Sequence, residues 1–129
     1  MIDNNDPIVK PFVNDSLFKD GGLTGTNSVL YVKLFDETGI NVSGNSIGHD
    51  LTAVLDDKVE NQYVLNDYYE TAPNDYQVGY VHFPISSMAD GRHTIKVKAW
   101  DMNNNSGEGV VNFEVLNGKV VTVQNLMNY

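Results

Sequence analysis

The chain has no cysteine among its 129 residues, which excludes disulfides, thiolate metal ligands and a cysteine nucleophile within it. Basic groups are scarce. Eight Lys and Arg stand against seventeen Asp and Glu, giving a formal net charge of −9. That balance repels a phosphate backbone, and the basic groove that would track a nucleic acid is missing. No apolar run approaches the roughly 18–20 residues of a membrane span, and no basic segment followed by an apolar one marks a secretory leader. No serine nucleophile elbow, phosphate loop or zinc-protease helix motif occurs. No stretch of ten or more residues carries a 3.6-residue apolar period, so long amphipathic helices are not expected.

What is present reads as one β domain. Hydrophobic residues make up 41% and aromatics 10% of the chain, enough to form a core and too much for a disordered segment. The acidity is local: residues 1–75 carry thirteen carboxylates and four lysines, whereas residues 76–129 carry four acidic and four basic groups. Solvated loops explain this distribution; a divalent-cation site and a surface for a basic partner are the functional alternatives.

Met1 to Pro7 reads as a linker or tail. Ile8–Val13 reads as a short strand, which Pro11 confines to an edge or a bulge. Asp15–Thr26 is polar and glycine-punctuated, a long connection or small hairpin. Asn27–Phe35 alternates but is apolar on both faces, which predicts a central strand whose second face is covered by a loop or a neighbouring domain. Further strands are predicted at Asp50–Leu55, Val59–Leu65, Tyr76–Ile85, Arg92–Asp101 and Val110–Val115, with a single helical turn at Ser86–Gly91 and a turn at Pro73-Asn74-Asp75. Val120–Gln124 offers a final short strand or an exit linker. Short period-two segments separated by turn residues predict an all-β, immunoglobulin-like antiparallel β-sandwich over residues 8–116, followed by a strand or linker over 117–129.

Candidate chemistry is sparse. The three histidines, His49, His82 and His93, have no metal-cluster spacing. His49 lies between a glycine turn and a strand, where its ring can bond Asp50, Asp36 or a backbone carbonyl, or meet a partner. Asp56-Asp57, Asp36-Glu37 and Asp67 read as turns and strand ends in preference to a glycosidase-like pair. Asp101–Gly107 has oxygen ligands at alternate positions, but its sixth residue is Ser106 and its twelfth is Asn112, so an EF-hand is rejected in favour of a hairpin whose Asp and Asn side chains bond their own turn. Trp100 and Tyr63, Tyr68, Tyr69, Tyr76 and Tyr80 suit core packing, a protein contact or a glycan platform. The expectations are no catalytic residue, no cofactor and no metal; Tyr31, His49, Tyr68 and Tyr69 are the candidate interface residues.

One ordered set of segments carries a family resemblance: Leu34–Asn41, Gly48–Leu51, Leu55–Asp57, Leu65–Tyr69, Tyr80–Pro84, Gly91–Thr94 and Lys96–Asp101. Together they resemble the region after the peptidase domain in gingipain-like sortases (peptidase family C25) of the Bacteroidetes type IX secretion system, over about residues 7–116. The resemblance implies an exported, surface-located parent whose His and Cys catalytic residues lie in a clan-CD peptidase domain upstream. None of the histidines here matches the catalytic position, so those roles do not transfer. Asn125–Tyr129 looks like the opening of the family's linker to a C-terminal β-domain. The resemblance thus implies a noncatalytic module that packs against or spaces the upstream peptidase domain of the same chain, with other secretion-system or surface proteins as further partners. A carbohydrate-binding or cell-surface adhesion module is the alternative.

Overall fold

The computed structural model describes residues 6–43 and 48–116. Among the described residues, nine strands form two packed sheets: β1 (Ile8–Val13), β2 (Gly22–Thr24), β3 (Ser28–Phe35), β4 (Thr52–Leu55), β5 (Gln62–Val64), β6 (Tyr69–Ala72), β7 (Asp75–Ile85), β8 (Gly91–Trp100) and β9 (Ser106–Val115). The four-stranded sheet runs β1-β3-β7-β6 and the five-stranded sheet β2-β9-β8-β4-β5. The predicted all-β sandwich is therefore observed. Every pairing between these strands is antiparallel except that of β2 with β9, which is parallel.

Period-two patterning sets which faces meet. Leu30, Val32 and Leu34 of β3 and Val81 and Ile85 of β7 face Ala53 and Leu55 of β4, Ile95, Val97 and Ala99 of β8, and Val111, Phe113 and Val115 of β9 across a single core. Burying each large apolar side chain is worth about 1.5–3 kcal/mol, so a charge at Ile95, Val97 or Phe113 undermines the fold itself. Leu51 and Leu65 are fully buried outside the strands and are tied to each other by Leu65 N–H donating to the Leu51 carbonyl at 2.7 Å.

Where expectation and structure part, backbone partners explain the difference. Asp15–Thr26 contains β2, too short to show a period, which lies beside β9. Val59–Leu65 begins as a 3₁₀ turn at Val59–Asn61 and becomes extended only in β5. β6 arises from the aromatic run after Asn66 and forms a hairpin with β7 across the expected turn, where Asn74 has φ 61°. The helical turn predicted at Ser86–Gly91 is absent. There the amides bond to the loop leading into β3 instead of to their own chain: Ser87 N–H donates to Asn27 Oδ1 (2.9 Å) and Met88 N–H to the Thr26 carbonyl (3.0 Å). These bonds seat Met88 as a buried plug at one end of the core. The strand or linker expected over 117–129 lies outside the described residues, as does most of the 1–7 tail.

β1 has a double role. It pairs with β3 as an edge strand, as Pro11 predicts, and it also lies against β9 of the other sheet. The approach is so close that a Cβ on Gly107 or Gly109 would collide with the backbone of Pro7 or Val9. We therefore expect Gly109→Ala to lower stability by about 1–3 kcal/mol, the usual cost of overpacking. Gly25→Ala, where a Cβ meets nothing within 4 Å, should leave the urea midpoint nearly unchanged. Equal midpoints for the two variants would show that β1 does not need the glycine track.

Candidate interaction surface

The outward side of the four-stranded sheet carries two apolar and aromatic rows, separated by a row in which Lys10, Lys33, Tyr80 and Glu70 lie side by side. Register aligns Phe12, Tyr31 and His82 in one row, because Phe12 pairs with Tyr31 and Tyr31 with His82. The Tyr31 ring lies 6.0 Å from Phe12, 6.2 Å from Tyr80 and 4.8 Å from His82, centroid to centroid. Burial, with a smaller contribution from neighbouring Tyr80, raises the Tyr31 phenol above its ordinary pKa. Ile8 (50% exposed), Phe35 (38%) and Val78 form the next apolar row. Between them, Ile8, Lys10, Phe12, Lys33 and Phe35 border a shallow groove of about 290 Å³. This is the doubly apolar β3 seen from its second side.

The outward side of the five-stranded sheet differs. There Arg92 lies opposite Glu114, Lys98 opposite Glu108, and Lys96 opposite Val110, with Lys96 Nζ also 4.0 Å from Asp57. Opposite charges across a ladder suit water, whereas aromatic rows on either side of paired lysines suit a partner that offers both apolar and acidic groups.

The four candidate interface residues fall in three places. Tyr31 lies at the centre of the aromatic face. His49 stacks on Trp100, at 3.9 Å and 14°, with Lys98 Nζ 5.0 Å from the same indole. Its Nδ1 is buried without a hydrogen-bond partner among the described residues, while Asp50 accepts from Asn66 Nδ2 at 3.1 Å. Tyr68 and Tyr69 lie where the chain crosses from the five-stranded to the four-stranded sheet. Tyr68 meets Phe83 edge-on (4.7 Å), and Phe83 also packs on Tyr63 (5.2 Å), so three rings wall that side of the core. Tyr69 points inward, because its register partner is buried Val81, and its ring occupies the space a side chain at Gly79 would need. Burial raises the Tyr69 pKa, and its hydroxyl has no partner among the described residues.

Two polar constellations accompany these surfaces. Asp101, fully buried, accepts from the amides of Asn103 and Asn105 (both 2.8 Å) through Oδ1 and from Asn105 Nδ2 (3.0 Å) through Oδ2, as the self-bonded turn predicts. The other pairs Asp56 with His93 beside a cleft of about 380 Å³ lined also by Arg92, Thr94, Asn112 and Glu114. His93 Nδ1 is 2.6 Å from Asp56 Oδ2, and Nε2 is 2.6 Å from the Ala89 carbonyl. Burial pulls the imidazole pKa down, but the bonds to Ala89 and Asp56 and the Asp56 charge outweigh it and hold His93 above its usual value. With both nitrogens engaged, the ring has no free site to act as a base. Sequence reasoning missed the pair because 37 residues separate its members. The register of Leu55 with Ile95 is what brings them together. Among the described residues, no group of three or more His, Asp or Glu is placed to hold a metal.

No family model matches the chain, and no curated protein matches it. Among solved structures, the dimeric latent PorU from Porphyromonas gingivalis shares 34% identity with it at a TM-score of 0.85, over 90% of this chain and 11% of that one. The chain is a homologue of one PorU domain. It is a β-sandwich that contains no cysteine and spans about a ninth of PorU's length. An endo-β-1,4-mannanase from Thermotoga petrophila matches at 14% identity and a TM-score of 0.57, over 89% of this chain and 21% of that one, which shows a shared fold alone.

Substitutions should separate surface from support. Tyr31→Ser should shift stability by no more than about 1 kcal/mol. Tyr69→Ala should cost about 2–3 kcal/mol, whereas Tyr69→Phe, which removes a buried hydroxyl without a partner, should be neutral or stabilising. Chemical denaturation of the three variants checks this, and a Tyr69→Phe loss as large as that of Tyr69→Ala would mean that the hydroxyl is bonded.

Proposed function

We propose that the chain is an immunoglobulin-like accessory module of an exported, gingipain-like cysteine peptidase of type IX secretion, located at the outer-membrane surface or outside the cell. In this reading it docks on the upstream peptidase domain through the outward face of the four-stranded sheet. The observation that carries it is the likeness to a PorU domain over 90% of the chain. The mixed face supplies the means of docking: the Phe12–Tyr31–His82 and Ile8–Phe35–Val78 rows flank a central Lys10–Lys33–Tyr80 row, so a partner there would meet apolar area on both sides of two lysines. A partner there removes apolar area from water at about 25 cal/mol per Å² before the costs of association. The direction of approach agrees, since Ile8 at the start of β1 lies on that same face. A domain joined just ahead of it is held at high effective concentration. Contacts with further secretion-system or surface proteins would use the surface that docking leaves open, including the His49–Trp100 stack and Tyr68 at the opposite edge.

Side-chain oxidation footprinting of the isolated chain and of the intact parent tests the docking. Phe12, Tyr31 and Tyr80 should be oxidised several-fold more slowly in the parent, while Met102, exposed in its turn, should be unchanged. Equal oxidation of the aromatic row in both samples would leave a spacer that does not dock.

A further inference from the structure

The His93 geometry has a consequence that holds whether or not the module docks. A neutral imidazole has one N–H, yet both ring nitrogens of His93 lie 2.6 Å from oxygens that only accept, the Asp56 carboxylate and the Ala89 carbonyl. Both contacts are hydrogen bonds only if the ring is an imidazolium. We propose that protonated His93 is a pH-sensitive clasp that fastens the β7–β8 connection, where the chain passes between the sheets, to the turn after β4.

The two ends of the clasp are unequal. Asp56 is anchored independently: its Oδ1 accepts from Thr94 N–H at 2.9 Å and its own N–H donates to the Thr94 carbonyl at 2.7 Å, at a residue with φ 57°. Ala89 is held differently, by a carbonyl at the edge of an irregular connection. When the ring loses its proton, the remaining N–H stays with the carboxylate, the stronger acceptor, and Nε2 turns a lone pair toward the Ala89 carbonyl. The Ala89 carbonyl then loses its imidazolium donor. Ser87 and Met88 stay in place, because Asn27 and Thr26 bond their amides.

The charged groups around the ring favour the closed form. Asp56, from the turn after β4, is the charge in contact with the ring, while Glu114 of β9 and Arg92 of β8 lie opposite each other along the same cleft. Against the cost of burial, the bonds to Ala89 and Asp56 and the Asp56 charge bias the ring toward protonation. Phe113 stacks on it at 5.7 Å and 29°. The sign comes from linkage. The folded state holds the proton more tightly than the unfolded one, so the stabilisation is complete below the unfolded value of about 6.5 and is lost as pH rises through the folded value. Raising the pH should therefore break the bond to Ala89 and lower the melting temperature.

The test is an NMR titration of the 129-residue chain from pH 5 to 9, tracking the His93 ring nitrogens and the Ala89 carbonyl carbon. The expected result is an imidazolium at pH 6 with a midpoint above 6.5 and an Ala89 carbonyl that titrates with the same midpoint. His93→Gln, which cannot titrate, should abolish the linked change. A ring already neutral at pH 6, an Ala89 carbonyl indifferent to the ring's titration, or an unaltered pH response in His93→Gln would each overturn the proposal. The ring measurement needs no variant, so it decides even if His93→Gln fails to fold.

Discussion

Contact between β1 and β9 is the constraint on which this sandwich depends. β1 belongs to the four-stranded sheet by hydrogen bonding and to the five-stranded sheet by contact, so it closes one side of a core that would otherwise open between two layers. Two local features permit it. Gly107 and Gly109 let the backbone of Pro7 and Val9 approach, and Pro11 gives up an amide that an edge strand can spare. The opposite side is closed by different means, the Tyr63, Phe83 and Tyr68 rings at the crossover. Backbone contact on one side and aromatic packing on the other leave the broad sheet faces free to diverge in character.

That divergence begins within single strands. On β3, Leu30, Val32 and Leu34 face the core while Tyr31 and Phe35 face outward, so a single strand is a core element and the centre of a surface. On β8 the same alternation yields Ile95, Val97 and Ala99 inside and lysines outside. Similar strand physics thus gives a charged face in one sheet and, in the other, a face where aromatic rows flank Lys10 and Lys33.

Much of this was legible in the sequence. The core strands carry strict alternation, and the Asp101 turn could be read from an aspartate with asparagines after it. The doubly apolar β3 was rightly expected at the sheet centre, flanked by β1 and β7. The hidden parts were set by tertiary contact: β2 has three residues and no period, Ser86–Gly91 is shaped by bonds to Thr26 and Asn27, and the Asp56–His93 pair exists only through strand register. The four interface candidates show the same limit. Composition marks a tyrosine as suited to contact, but only register tells that Tyr31 faces out and Tyr69 faces in.

The course of β1 also bears on how the module would respond to mechanical load. Pro7 lies by Gly107 and Val9 by Gly109, so β1 and β9 run in the same direction, and Ile8 and Val115 lie toward opposite ends of the sandwich. Tension applied at Ile8 and Val115 would slide β1 lengthwise along β9 and β3. Its bonds to β3 would have to yield together instead of peeling one at a time, which makes the unfolding rate under force, more than equilibrium stability, the measure of how the module survives being pulled.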